Sequence, residues 1–203
     1  MKKNGMSDDS KIQWSHFLSG DNDAYKWLYK TYVHTLYSYG NRFTSDAEII
    51  KDCIQDLFVT LYNSRSRLTT PDNVKLYLMI SLKNKLMRTL QKRDFYISYN
   101  PDEEPVFLLE PTVEDDYIKN EEASRQKEKV EKILSVLTPR QKEIIYYRYI
   151  QELEMDEICE LMNLNYQSAK NLIQRSLAKI RENYKGSLES FLLLFILSGF
   201  FPK

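Results

Sequence analysis

Residues 153–183 read LEMDEICELMNLNYQSAKNLIQRSLAKIREN, and two short helical patterns meet in them across an Asn-Leu-Asn break. Asn163 suits a left-handed turn because asparagine tolerates that backbone conformation. Asn165 is a good N-cap for the helix that follows. We expect the first helix to present Ile158, Leu161 and Met162 to the second. The apolar face of the second helix, set by the 3.6-residue period, consists of Ala169, Leu172, Ile173, Ser176, Leu177 and Ile180.

The opposite face of the second helix carries amide and basic side chains. Asparagine, glutamine and arginine can each form bidentate hydrogen bonds with base edges, and lysine can contact phosphate. A helix of this kind fits the major groove, so the pattern favours a helix-turn-helix. An ordinary solvated face remains the alternative, although such a face usually mixes glutamate with lysine. The face consists of Gln167, Ser168, Asn171, Gln174 and Arg175, flanked by Lys170, Lys179 and Arg181.

The residues just upstream contain a strong helix start. In LTPRQKE (137–143), Thr138 can cap the helix, Pro139 takes the first helical position and Gln141 completes a capping box. We expect this helix to reach about Ile150, and an amphipathic helix over 124–137 to precede it. Gly186 would end the last helix. These helices define one small domain over residues 123–185.

Residues 95–122 differ in composition from both sides. They are rich in aspartate and glutamate, contain one base, Lys119, and are interrupted by three prolines. Such a composition predicts an extended acidic linker between two domains.

Residues 10–94 show helical periodicity around Trp14, Phe17 and Leu18 and then three further helical patterns, so they predict a second helical bundle. Asp21 can cap a helix over 23–39 that follows a break at Gly20 and ends at Gly40. The second pattern covers 46–63, and a polar loop over 64–73 separates it from a third pattern over 74–93. The sequence therefore predicts an all-α protein of two small helical domains. Residues 1–9 are expected to be a flexible N-terminus.

Composition excludes several classes of protein. The two cysteines, Cys53 and Cys159, have neither zinc-site spacing nor a disulfide framework. The N-terminus lacks the apolar core of a signal peptide, and the apolar tail FLLLFILSGFF is shorter than the roughly 20 residues that cross a bilayer. We found no catalytic motif or phosphate-binding loop. We therefore expect a cytoplasmic protein that is not an enzyme and takes no cofactor, metal or small-molecule substrate.

Two long stretches carry a family resemblance. LTPRQKEIIYYRYIQELEMDEICELMNLNYQSAKNLIQRSLAKIRE (137–182) resembles region four of bacterial RNA polymerase sigma factors of the sigma-70 family, the extracytoplasmic-function group in particular. DAYKWLYKTYVHTLYSYGNRFTSDAEIIKDCIQDLFVTLYNSR (23–65) and VKLYLMISLKNKLMRTLQKR (74–93) resemble region two. The resemblance implies a sigma factor that binds core RNA polymerase and promoter DNA, with an anti-sigma factor as a further partner.

The resemblance also implies sites in the region-two stretch. DCIQDLFVTLY (52–62) resembles the polymerase-binding segment, which leaves Asp52, Gln55, Asp56 and Val59 for the polymerase; a solvated face is the alternative. The acid-free helix over 74–93 would meet the minus-ten element, and the loop over 64–73 would capture a flipped base. Tyr77 is a candidate for stacking, although it lies on the apolar stripe. The DNA-binding candidates here are Arg65, Arg67, Asn73, Lys83, Arg88, Lys92 and Arg93.

In region four, the second helix of the opening stretch would meet the minus-thirty-five element. We expect Lys170 and Lys179 to contact DNA, Lys170 at a phosphate. Two positions that are often basic in the family are Leu172 and Leu177 here, which predicts fewer phosphate contacts. The side chains expected to contact base edges are Ser168, Asn171, Gln174 and Arg175.

Other functions remain open on the sequence alone. The chain could be a stand-alone helix-turn-helix regulator, or a helical interaction protein without DNA contacts. The apolar tail over 186–203 could be a final helix on one domain, hold the two domains together, or bind an inhibitory partner or a membrane surface.

Overall fold

The computed structural model describes residues 3–95, 107 and 132–184, and these are helices, turns and loops without a strand. The predicted all-α fold is confirmed. The chain forms two compact units, Met1–Pro101 and Asp102–Lys203. The helix expected over 124–137 is described only at residues 132–134, which are helical. The apolar tail lies outside the described residues, as does the predicted acidic linker apart from Phe95 and Phe107.

The first unit is a four-helix bundle with a short 3₁₀ turn. Helix α1 packs on α2, α3 packs on α4, and α2 contacts all three other helices. Helix α1 begins before the domain edge expected at residue 10, and α4 runs two residues past the expected end at residue 93. The elements are α1 (Lys3–Leu18), α2 (Asn22–Gly40), α3 (Ala47–Ser64), a 3₁₀ turn (Arg65–Arg67) and α4 (Val74–Phe95).

Two aspartates start the middle helices of the bundle. The carboxylate of Asp21 accepts hydrogen bonds from the backbone N–H groups of Asp23 and Ala24 at the start of α2. Asp46 does the same for Glu48 and Ile49 at the start of α3. A cap of this kind typically contributes about 1 kcal/mol to helix stability. The predicted role of Asp21 is confirmed.

Two glycines fix the path of the chain around α2. Gly20 has a φ of +105°, a conformation that L side chains rarely adopt, and it ends the turn between α1 and α2. Gly40 is the last residue of α2 and lies against Ile50 of α3. A Cβ at Gly40 would stand 2.6 Å from Cγ2 of Ile50, so only glycine lets these two helices come so close.

The core of the bundle follows the predicted apolar stripes. On α3, which covers nearly the same residues as the pattern predicted over 46–63, the residues Ile50, Ile54, Leu57, Phe58 and Leu61 recur at helical spacing and are all buried. Full burial of each such side chain contributes about 1.5–3 kcal/mol relative to exposure.

The second unit contains three helices that are described along their full length, and they pack around a core of their own. They are α5 (Pro139–Tyr149), α6 (Met155–Met162) and α7 (Tyr166–Asn183), and each contacts the other two. Thr138 and Gln141 form the predicted capping box at the start of α5: Thr138 Oγ1 accepts from the Gln141 N–H, and Gln141 Oε1 accepts from the Thr138 N–H.

Phe107 belongs to this second core although it lies in the segment expected to be linker. Its side chain is buried, and its ring centroid lies 5.4 Å from that of Tyr146 and 6.1 Å from that of Tyr147. Both tyrosines are on α5, so an aromatic residue between the two family-like stretches completes the apolar cluster of the second unit.

Candidate nucleic-acid interface

The turn before α7 is built by two asparagines, as the sequence predicts. Asn163 has φ 50° and ψ 52°, the left-handed conformation, and its N–H bonds back to the end of α6. Asn165 caps α7, since its Oδ1 accepts the Ser168 N–H at 2.8 Å. Together they turn the chain within three residues and set the start of α7 beside α6.

The inner face of α7 holds the helix against α6 and α5. Ala169, Ser176 and Ile180 are fully buried on α7, and Ile158 is fully buried on α6. Ser176 is satisfied within its own helix, because its hydroxyl donates to the Leu172 carbonyl at 2.7 Å. Of the predicted inner face, these three residues of α7 are buried and Leu172, Ile173 and Leu177 are half-buried, while most of the amide and basic residues are exposed.

The outer face of α7 brings together the predicted base-contacting side chains. Lys170, Asn171, Gln174 and Arg175 are exposed, and Ser168 is half-buried. Oδ1 of Asn171 accepts a hydrogen bond from Gln167 Nε2 at 2.9 Å. The Arg175 Nε donates to the Asn171 carbonyl at 3.4 Å, which lays the guanidinium along the helix. Hydrogen-bond donors and acceptors therefore lie together on one exposed side of α7.

Lys179 differs from the other basic residues of α7. It is half-buried, and its Nζ donates to Oε1 of Gln141 at 3.2 Å. The ammonium group therefore lies at the start of α5, where it supports the capping box. The Lys179 ammonium group would therefore have to contact a phosphate from this position beside Gln141.

One exposed aromatic residue next to this face was not predicted. Tyr166 occupies the first helical position of α7 and is 56% exposed. Helical periodicity does not predict that Tyr166 is exposed, because a tyrosine at the first helical position could equally turn inward.

The loop between α3 and α4 presents some of its predicted residues and uses others internally. Arg67, Thr69 and Thr70 are exposed. The guanidinium carbon of Arg65 lies 5.3 Å from the ring centroid of Tyr62, a cation–π contact. Oδ1 of Asn73 accepts the Leu76 N–H at 3.1 Å, so this side chain caps α4.

The aromatic residue exposed beside this loop is Tyr62 rather than Tyr77. Tyr77 is half-buried with its ring edge-on to Trp14, at a centroid distance of 5.3 Å. Tyr62, at the end of α3, is 42% exposed. The position of Tyr77 on the apolar stripe already indicated that it turns inward, whereas the sequence gives no signal for the exposure of Tyr62.

Helix α4 carries bases on more than one side. Arg88 and Lys92 are exposed, and Lys83 is half-buried. Nζ of Lys85 lies 3.2 Å from Oδ2 of Asp56 on α3. The side chain of Arg93 lies outside the described part of the structure.

The four polymerase-binding candidates share one exposed face of α3. Asp52, Gln55, Asp56 and Val59 follow the i, i+3, i+4, i+7 spacing of a single helix side, and Val59 is 48% exposed. An aromatic cluster borders them, in which the Tyr29 ring lies 5.0 Å from that of Phe58.

The aromatic cluster includes one tyrosine with a displaced pKa. Burial, and then the neighbouring Tyr29 and Tyr62, raise the pKa of Tyr25 above its ordinary value. The Tyr25 hydroxyl donates a hydrogen bond to the Phe58 carbonyl at 3.0 Å. The α3 face proposed to bind the polymerase is therefore acidic at the end formed by Asp52 and apolar at the end formed by Val59.

Two family models match the chain, and each falls on one of the two units. Residues 28–96 match sigma-70 region 2, which covers most of α2 and all of α3 and α4. Residues 127–180 match sigma-70 region 4, which includes α5, α6 and nearly all of α7. The two matches together span more than half of the 203 residues.

The chain belongs to the sigma-70 family. Both units carry the regions of a sigma factor in family order, and the region 4 match is the form found in the extracytoplasmic-function group. The helix-turn-helix is the second half of region 4. Helix α1 lies N-terminal to the region 2 match.

Solved structures of other proteins share the fold of this chain. One is CnrH in complex with the cytosolic domain of CnrY, at 18% identity and a TM-score of 0.55, covering 85% of this chain and 95% of that one. Another is the sigma factor RpoE in complex with the anti-sigma factor NepR from Bartonella quintana, at 17% identity and a TM-score of 0.55, covering 79% and 96%. No curated protein matched the sequence.

Two further properties concern the described residues of this sigma-70 family member. Among them, no helix is long and apolar enough to span a membrane, and no group of three or more potential ligands is placed to hold a metal ion.

Proposed function

We propose that the chain binds core RNA polymerase and directs it to promoters, with region 2 at the minus-ten element and region 4 at the minus-thirty-five element. The observation that carries the proposal is the outer face of α7, where Asn171, Gln174 and Arg175 stand exposed on a helix whose other side is buried. A helix that follows a tight turn and exposes such side chains suits the major groove.

Region 4 would divide its contacts by chemistry. Arg175, Asn171 and Gln174 contact base edges, with Ser168 near the start of the helix. Lys170 contacts phosphate. Lys179 contributes mainly through Gln141, which fixes α7 against α5, and less through DNA.

Region 2 would contact the minus-ten element through α4 and the loop before it. Arg88 and Lys92 are exposed on α4 and supply the attraction for the DNA backbone, together with Lys83 and Arg93. Arg67 projects from the loop with Thr69 and Thr70, whose hydroxyls suit the edge of an unstacked base. Arg65 and Asn73 act by shaping the two ends of that loop.

The face of α3 formed by Asp52, Gln55, Asp56 and Val59 would bind the polymerase. Its mixture of carboxylates and an exposed valine suits a partner helix with basic and apolar residues. An anti-sigma factor is a further proposed partner; one protein of this fold, RpoE, is bound to one. The chain would act in the cytoplasm, as a binding protein and not as an enzyme.

Transcription with purified components tests the proposal. The full chain is mixed with core RNA polymerase from the same bacterium and fragmented genomic DNA, and transcript starts are mapped. We expect starts that share two sequence elements and that disappear without the chain. Specific DNA binding without core enzyme, and no initiation with it, would instead support a stand-alone helix-turn-helix regulator. Neither binding nor initiation would support an interaction protein.

A further inference from the structure

Helix α1 contacts the loop that precedes α4. The indole Nε1 of Trp14 donates a hydrogen bond to the backbone carbonyl of Thr69 at 3.2 Å. Trp14 is fully buried, and its ring lies edge-on to Tyr77 of α4 and to Phe17 of α1, at centroid distances of 5.3 Å and 5.7 Å. The indole therefore has one fixed orientation, and so does the carbonyl that it binds.

A second contact joins the same two elements further along the loop. Nζ of Lys11 lies 3.8 Å from Oδ1 of Asp72. Lys11 and Trp14 are three residues apart and so share one side of α1. This pair is exposed and weak on its own, and it lies at the end of the loop, whereas Trp14 contacts its middle.

Helix α1 is itself held firmly by the bundle. The hydroxyls of Ser10 and Tyr32 are hydrogen-bonded at 2.6 Å, and both residues are buried. The Phe17 ring stacks on Tyr25 at a centroid distance of 5.6 Å. Because α1 is fixed on α2 at two points, its contacts with the loop hold residues 69–72 in a defined position relative to the bundle.

We propose that α1 is a positioning element for the α3–α4 loop, and that Trp14 helps to determine which promoter base the loop accepts. Trp14 is buried, so it acts through the Thr69 backbone and does not touch DNA. The inference rests on the proposed function, in which this loop contacts the minus-ten element. Neither Trp14 nor Lys11 lies within the region 2 match, which begins at residue 28.

The Trp14→Phe substitution tests the role of the indole N–H. Phenylalanine keeps an aromatic ring in the pocket but cannot donate to Thr69. Holoenzyme is assembled with the full chain, and initiation is measured on promoter libraries randomised at the minus-ten or the minus-thirty-five element. We expect the variant to lose about two- to tenfold of its base preference at one or two minus-ten positions, the range for one hydrogen bond. Preferences at minus thirty-five stay unchanged.

Trp27→Phe is the matched control, because it makes the same substitution at the second tryptophan of the chain, which lies half-buried on α2. It should leave both sets of preferences as they are in the wild type. Lys11→Glu is a second test on the surface, where misfolding is not expected. It places two carboxylates side by side and should weaken the same minus-ten preferences, while Lys26→Glu on α2 should not.

The outcomes separate the two proposals. A wild-type holoenzyme without any minus-ten preference overturns the proposed function itself. A wild type with that preference, and Trp14→Phe and Lys11→Glu variants that retain it in full, overturns the role of α1 alone. Should Trp14→Phe fail to fold, the Lys11→Glu result decides. An equal loss of activity on all promoters, with a lower melting temperature, would assign these residues to stability only and also overturns the inference.

Discussion

The ammonium group of Lys85 on α4 lies 3.2 Å from the carboxylate of Asp56 on α3. This ion pair joins the helix proposed to contact DNA with the face proposed to contact the polymerase. Asp56 remains largely exposed, with a side-chain exposure of 71%, whereas that of Lys85 is 29%. Asp56 can therefore meet a partner while it holds Lys85, and Lys85 is the less available of the two.

Asp56→Asn should weaken the binding of core RNA polymerase with little effect on folding. An exposed ion pair contributes about 0–1 kcal/mol, so the free energy of unfolding should change by no more than that. Removal of a charge that pairs with the polymerase should lower the affinity for core enzyme by about tenfold or more. Fluorescence titration of labelled chain with core polymerase measures the affinity.

Lys85→Gln is the control for that change, since it removes the same ion pair and leaves the carboxylate in place. Its affinity for core polymerase should equal that of the wild type. If both variants lose the same affinity, the ion pair itself matters, and a direct contact between Asp56 and the polymerase is refuted.

Lys170→Ala and Arg175→Ala should affect promoter binding in different ways. Removal of the Lys170 ammonium from a phosphate should lower the salt slope of holoenzyme binding by about one unit on every sequence. Removal of the Arg175 guanidinium should relax the preference at one base pair of the minus-thirty-five element, with a cost of about 1–3 kcal/mol on the preferred sequence. Binding isotherms at several salt concentrations, on single-base variants of one promoter, distinguish the two. Equal losses on all sequences for Arg175→Ala would exclude contact with a base.

Asn163→Ala should destabilise region 4 through the backbone. At φ 50° alanine is disfavoured by about 1 kcal/mol or more, whereas asparagine tolerates the conformation and glycine adopts it freely. Asn163→Gly should therefore fall close to the wild type. Urea denaturation of the full chain reports the difference in the transition of the second unit. Equal stability of the alanine and glycine variants would show that the turn is not strained.

Phe107→Ala should destabilise the second unit by about 3 kcal/mol, the lower end of the range for a buried phenylalanine. The ring packs on Tyr146 and Tyr147, and its removal would leave a cavity beside α5. Phe107→Leu, which keeps most of the apolar volume, should cost less. An unchanged urea midpoint for Phe107→Ala would contradict burial of this ring in solution.

Local chemistry explains why so much of the fold could be predicted. Asp21, Thr138, Gln141, Asn163 and Asn165 each act within a few residues of their own position, through a cap or a turn. Apolar residues repeated at helical spacing mark the buried faces in the same local way. For such features the sequence contains both partners side by side.

Contacts between distant residues account for most of what could not be predicted. Lys85 pairs with a residue 29 positions away, and Lys179 with one 38 positions away. Trp14 packs edge-on against Tyr77 and donates a hydrogen bond to Thr69, 55 residues further along the chain. Even one local feature lacked a signal, because Glu152 adopts a φ of 49° with a residue type that rarely does so.

The double hydrogen bond to Gln141 Oε1 has a thermodynamic consequence. Thr138 and Lys179 donate to the same oxygen, so the C-terminal half of α7 is tied to the start of α5, while Asn165 holds its other end. The orientation of α7 relative to α5 is therefore already fixed in the free protein, before DNA binds. Little chain entropy remains to be lost on association, and calorimetry of region 4 with its target should lack the large negative heat-capacity change of coupled folding.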